Sequence, residues 1–142
     1  MNIYIKRVFF VIVCLTLLTV SLSAQRGRPG GGGGSSACAI ATPPQLSTST
    51  AAPGINVGVF SRITNCSTGK ARYTVTVSAV SSCGKETIIA SSIISFNGGE
   101  AKLISISYPV APDTCVGFSS VFVNVYSGGT LLASQSAPLM IQ

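Results

Sequence analysis

The sequence predicts an all-β domain, two antiparallel sheets packed face to face and built from about seven strands. Three observations predict it. From Cys38 onward valine, isoleucine, threonine and serine dominate, and no useful stretch carries a helical period. Apolar and polar residues alternate in runs that recur about every 8–12 residues. Clusters of glycine, proline and asparagine separate those runs at tight-turn spacing.

Two other segments come first. Lys6 and Arg7 give a short basic start, Val8 to Val20 is almost unbroken apolar chain, and Ser21-Leu22-Ser23-Ala24 offers small residues for cleavage. Residues 1–24 therefore read as an export signal rather than a membrane span, because the apolar run is too short and ends in a cleavage-type tail. Cys14 lies inside that run, without the preceding Leu-Ala/Ser-Gly/Ala triplet of a lipoprotein signal, so no lipid anchor is expected. Residues 25–37, with RGRPGGGGGSS at 26–36, are expected to be a flexible tether, since nothing apolar is present to build a core. Its two arginines lack the repeats and aromatics of a nucleic-acid-binding Arg/Gly segment, and no nucleic-acid partner is expected. The domain is assigned to 38–142.

The strands follow in order. Gln45 to Thr50 is short and polar, set between Pro43-Pro44 and Pro53-Gly54. Ile55 to Asn65 is the second; Ile55, Val57, Val59 and Ile63 point inward, Asn56, Arg62 and Thr64 outward, and Phe60 breaks the pattern on the outer face. Ser67-Thr68-Gly69-Lys70 turns the chain into Ala71 to Val80, where Tyr73, Val75, Val77 and Ala79 alternate with Thr74, Thr76 and Ser78. Glu86 to Phe96 is the fourth, and Asn97-Gly98-Gly99 is a hairpin signal leading to the fifth, Ala101 to Val110. Gly117 to Tyr126 is the sixth, with Val121, Val123 and Val125 facing away from Phe118, Phe122 and Tyr126. Ser127-Gly128-Gly129 turns into the last, Thr130 to Ile141, and Pro138 assigns that end to a sheet edge.

The texture of Pro53 to Gln142 resembles bacterial immunoglobulin-like modules of the CARDB and fibronectin-III kind. The resemblance is carried by Pro53-Gly54-Ile55-Asn56-Val57, by a strand closing in Thr64-Asn65-Cys66-Ser67, by Ala71-Arg72-Tyr73-Thr74-Val75-Thr76-Val77, and by Gly128-Gly129-Thr130-Leu131-Leu132-Ala133. It implies an immunoglobulin-like fold of the binding or spacer type. The chain departs from antibody domains in having no tryptophan, and in having no tyrosine two residues before Cys115.

Strand direction makes a sharper claim about the cysteines. Four remain after the signal, and wide spacings without any histidine favour two disulfides over zinc. If consecutive strands alternate in direction, Cys38 and Cys66 share one pole and Cys83 and Cys115 the other. The predicted bridges are Cys38–Cys66 and Cys83–Cys115. A Cys66–Cys83 bridge would have to reach along the whole third strand, whereas bridged Cα atoms lie within about 7 Å.

The same inventory argues against catalysis. No histidine means no triad with an imidazole base. Only Glu86, Glu100 and Asp113 are acidic, and only Glu86 and Asp113, with Lys85 nearby, fall at one pole. No catalytic, metal or cofactor site is expected, and the disulfide residues are Cys38, Cys66, Cys83 and Cys115. Asn65-Cys66-Ser67 has the form of a glycosylation sequon. Phe60, Phe96, Phe118 and Tyr126 are expected to pack into the core, with an exposed apolar patch near strand ends as the alternative, and the outer sheet face is expected to be rich in serine and threonine. The basic residues, seven after loss of Lys6 and Arg7 and giving a net +4, are scattered and suit at most a weak attraction to anionic surfaces.

The expectation is an exported, non-enzymatic module, secreted, periplasmic or at the cell surface, with a binding or structural role. Its partner would be a protein or glycan of the cell surface, and no transmembrane segment is expected after signal cleavage. Alternatives are an adhesin or filament subunit assembling by strand addition, and a secreted inhibitor using loop 111–117.

Overall fold

The computed structural model describes residues 36–142; the signal and tether expectations lie outside the described residues, apart from Ser36 and Ala37. Among the described residues there are nine strands and no helix. They are β1 (Ala39–Ala41), β2 (Gln45–Leu46), β3 (Thr50–Ala51), β4 (Asn56–Asn65), β5 (Ala71–Val80), β6 (Glu86–Phe96), β7 (Ala101–Pro109), β8 (Gly117–Ser127) and β9 (Thr130–Ile141). One sheet sets β7 on one side of β4 and the short β1 and β2 on the other. The second runs β3-β9-β8-β5-β6. The two-sheet sandwich expected from alternation is therefore present. Among the described residues no helix is long and apolar enough to cross a membrane.

Alternation places the core. Val57, Val59 and Ile63 of β4 face Tyr73, Val75, Val77 and Ala79 of β5 and Val121, Val123 and Val125 of β8, all buried. Leu139 and Ile141 close it from β9. Burying a valine- or leucine-sized side chain contributes about 1.5–3 kcal/mol, so this interior supplies most of the drive to fold. Two residues leave the expected phase. Ile55 is exposed because it sits in the Pro53-Gly54 turn, its N–H donating to Ala52, one residue before β4 starts. Ser78 is buried although it faces outward, because Phe122 and Ile88 flank it in register.

The first predicted strand is the largest departure. The chain pairs with β4 through β1 and β2, then crosses and joins β9 through β3. Pro43-Pro44 interrupts it between β1 and β2, and the Thr48 hydroxyl turns it by bonding the carbonyl and N–H of Thr50. The β3–β9 pairing is parallel, the one exception among the described pairs. Pro138 fits this crossing. The N–H groups of Met140 and Gln142 donate to Ser49 and Ala51, so the nitrogen of Pro138, in the same phase, points to the side of β9 that β3 covers only from Met140 onward. Its missing donor costs nothing there, and β3 pairing cannot extend past it. The expected edge is thus found at Pro138, but the last two residues of β9 are covered.

Two turns require glycine. Gly128 and Gly129 hold φ of 54° and 83° between β8 and β9, a conformation that an L side chain resists. A Cβ on Gly98 would run into the carbonyl of Thr68, so the β6–β7 turn packs directly against the β4–β5 turn. Both predicted disulfides are present. Cys38 and Cys66 have Cα atoms 5.1 Å apart, and Cys83 and Cys115 6.1 Å apart.

Candidate binding groove

Asn65 organises the pole that carries Cys38–Cys66. The inward phase of β4 runs 57, 59, 61, 63 and reaches it, so an amide is carried into the core margin. It is fully buried. Its Nδ2 donates to the carbonyls of Gly69 at 2.8 Å and Asn97 at 2.9 Å. Its Oδ1 accepts from the Ser67 N–H, the Ser67 hydroxyl and the Tyr73 hydroxyl. One side chain therefore ties both pole turns to the β5 core. The sequon form of Asn65-Cys66-Ser67 is thus formal only, since the nitrogen a glycan would use is buried and both its hydrogens are engaged.

Beside that hub lies an open groove of about 520 Å³, lined by Lys70, Ala71, Arg72, Ser95, Phe96, Asn97, Glu100 and Lys102. Lys70 comes from the residue before β5 and Arg72 from the start of β5, Ser95 and Phe96 from the end of β6, and Lys102 from β7 across the hairpin. Phe96 forms the floor; it is buried, its ring 5.5 Å from that of Tyr73. Lys102 Nζ lies 5.3 Å from the Phe96 centroid and donates to the Ser95 carbonyl at 2.6 Å. It also lies 3.5 Å from Glu100. Among the described residues no carboxylate pairs with Lys70 or Arg72.

Glu100 belongs to the turn more than to the groove. Its Oε2 accepts the Asn97 N–H at 2.7 Å, and this bond holds its carboxyl below the usual carboxylate range; desolvation opposes the shift and Lys102 adds to it. A lowered folded-state pKa stabilises above the unfolded value and is lost as pH falls through the folded one. Protection of the Asn97 amide, its exchange rate compared with the intrinsic rate at the same pH, should therefore fall on acidification from neutral, and Glu100→Gln should remove that fall.

At the other pole Asp113 pairs with Lys85 at 3.5 Å, and both are well exposed. A pair of this kind contributes little. Glu86 is exposed and is absent from the lining of the small 40 Å³ cavity there, which includes Lys85, Asp113, Tyr108 and Cys115. Loop 111–117 is held by Cys115, by a turn from Thr114 N–H to the Ala111 carbonyl, and by the Ser82 hydroxyl on the Val116 carbonyl. Val116 is exposed.

The four candidate aromatics do not form one patch. Phe96 is core, Phe60 is half-buried over Gly58 on the β4 sheet, and Phe118 and Tyr126 sit at opposite ends of β8. Phe118 alone of the four is exposed. The hydroxyl-rich outer face is present as a register row, Ser91, Thr76, Asn124 and Ser134, with the Ser134 hydroxyl bonding Asn124 Oδ1 at 2.6 Å. The groove itself was not foreseen. Lys70 and Arg72 flank the first residue of β5, a spacing present in the sequence; Lys102 joins them only through the hairpin.

No family model matches this chain, and no curated protein does. Solved structures with the same fold exist. A CARDB domain from Pyrococcus furiosus, solved in complex with di-metal ions, aligns with a TM-score of 0.59 at 12% identity, covering 75% of this chain and 89% of that one. A β-glucosidase from Erythrobacter marinus aligns at 0.62 with 10% identity over 75% of this chain and 16% of its own. The alkylpurine DNA glycosylase AlkC of Pseudomonas fluorescens, bound to DNA containing an abasic site analog, aligns at 0.62 with 15% identity over 78% and 32%. The chain thus spans a sixth to a third of the two enzymes, and at these identities the likeness shows the fold alone. That fold is an immunoglobulin-like β-sandwich, and its two disulfides suit an oxidising compartment.

Proposed function

We propose that the protein is an exported, non-enzymatic immunoglobulin-like module that acts by binding outside the cytosol, and that the groove at the Asn65 pole receives an anionic group of its partner. The observation that carries this reading is the pair Lys70 and Arg72, two cations without carboxylate partners among the described residues, on the rim of a groove floored by Phe96. The charge balance supports it: the seven basic residues expected after signal removal outnumber three acidic ones.

An acidic glycan suits such a rim, because carboxylate or sulfate groups accept from both side chains while the polymer stays solvated. Binding of polygalacturonate and dextran sulfate should be measured by calorimetry against neutral dextran. Retention that falls with salt, and that drops about tenfold or more in the Lys70→Glu/Arg72→Glu variant, is the expected result. Equal binding of neutral and anionic polymers, or an unaffected variant, would remove the reading.

A further inference from the structure

We infer that β6 pairs edge to edge with β6 of a second copy, antiparallel about Ser91, to join two five-stranded sheets into one of ten strands. Among the described residues β6 is the outermost strand of its sheet, so one side of its backbone lacks a ladder partner. Natural edge strands carry lysine, proline or inward charges that discourage pairing. β7 and β9 follow that rule with Lys102, Pro109 and Pro138. Between Thr87 and Phe96, β6 has neither charge nor proline of its own, and the lysine that reaches its backbone, Lys102 of β7, covers the Ser95 carbonyl near one end and leaves residues 87–94 clear. It also exposes Ile88 and Ile93, 68% and 65% accessible, on its outer face.

The occupant is a second copy because the strand is complementary to itself. β6 carries one bulge: Val77 pairs Ala90 and Ser78 pairs Ile88, leaving Ile89 extra. That bulge misplaces the faces of a straight incoming strand. Two bulged copies compensate each other. With Ile89 skipped in both, a two-fold at Ser91 sets Ser91 opposite Ser91, Ile93 opposite Ile88, Ile94 opposite Thr87, and Ser95 opposite Glu86. Each outward residue then meets an outward one. The two exposed isoleucines become cross-strand pairs, which stabilise sheets.

Charge favours the same register. Glu86 is the one ionised side chain of β6. The pairing brings it to the Ser95 end of the second copy. There Arg72 is the register neighbour of Ser95, and Lys102 Nζ caps the Ser95 carbonyl. The two-fold repeats this match, and no like charges on β6 face each other. The pairing is centred on Ser91, outside the groove, but its Ser95 end reaches the groove residues Arg72 and Lys102, so Glu86 of the second copy and a polyanion compete for that rim.

Sedimentation equilibrium of the purified protein across concentrations tests it. A mass rising from one chain to two, and stopping there, is expected. Ser91→Lys puts two ammonium groups on the axis of an exposed position and should raise the dissociation constant about tenfold or more, with the circular dichroism spectrum unchanged. Ser91→Cys should give a disulfide-linked dimer on mild oxidation, whereas Thr76→Cys, on the same face of the covered strand β5, should not. A mass of one chain at every concentration, a dimer indifferent to Ser91→Lys, or growth past two copies would each overturn the proposal. Polyanion binding by Ser91→Lys, measured alongside, separates loss of the dimer from loss of the groove.

Discussion

Reduction of both disulfides under otherwise native conditions should bring the domain to the edge of unfolding. The bridges close loops of 28 and 32 residues in sequence separation. In the chain-entropy account each contributes about 3–4 kcal/mol, against a total of about 5–15 kcal/mol for a domain of this size. Nearly equal loops predict nearly equal entropic contributions, so any asymmetry between the bridges comes from the folded state. Cys38–Cys66 should prove the more costly to lose. It anchors β1, which holds to β4 through only three register positions, and the Tyr73 hydroxyl donates to the Cys38 carbonyl at 2.8 Å. Cys83–Cys115 joins two loops whose strands are already long and paired. Urea midpoints of Cys38→Ala/Cys66→Ala and Cys83→Ala/Cys115→Ala, compared with the reduced protein, check both statements. A reduced protein that keeps its midpoint would contradict them.

Asn65→Ala should be the most damaging single substitution away from the cysteines, at about 3 kcal/mol or more. The change leaves the Asn97 carbonyl and the Ser67 N–H without their partner at the core margin, while the Tyr73 and Ser67 hydroxyls fall back on the Cys38 and Gly69 carbonyls. Tyr73→Phe removes one member of that network and leaves the ring packed on Phe96, so it should cost about 1–2 kcal/mol. The two changes share a bond and should be less than additive in a double-mutant cycle. Asn65→Asp is the informative third variant. It keeps the acceptor but replaces both donors with a buried carboxylate, so its stability should fall as pH rises through the raised carboxyl pKa. A cost near zero for Asn65→Ala would mean that water replaces the network.

What the sequence disclosed follows from strand length. β4 to β9 each run nine residues or more, long enough for a period of two to be read above noise, and the turn residues between them are specific. The disulfide pairing followed from those directions. The first segment was illegible for the opposite reason. Runs of two or three residues show no period, and the switch from β4 to β9 depends on where Pro138 ends the ladder, a fact of tertiary contact. Asn65 was within reach: it continues the inward phase of Val57, Val59 and Ile63, and an amide at such a position demands partners. The groove was not, because β5 and β7 belong to different sheets and only the hairpin after β6 brings Lys102 to Arg72. Core packing was legible for Phe96, which follows the inward alternation of β6 set by its register with Ala71, and Phe118 departs from it because it lies on the outward phase of β8 near its end.

The position of Cys38 has a mechanical consequence. It is the third described residue, and its bridge leads directly into Cys66 at the far end of β4. A pull on the chain ahead of Cys38 passes through sulfur into the turn after β4 and bypasses residues 39–65. The three short ribbons that could be peeled away one bond at a time are therefore spared the load, and the first hydrogen bonds to feel tension are those of the pole turn, Ser67 on Asn65 and Gly99 on Ser67, ahead of β5.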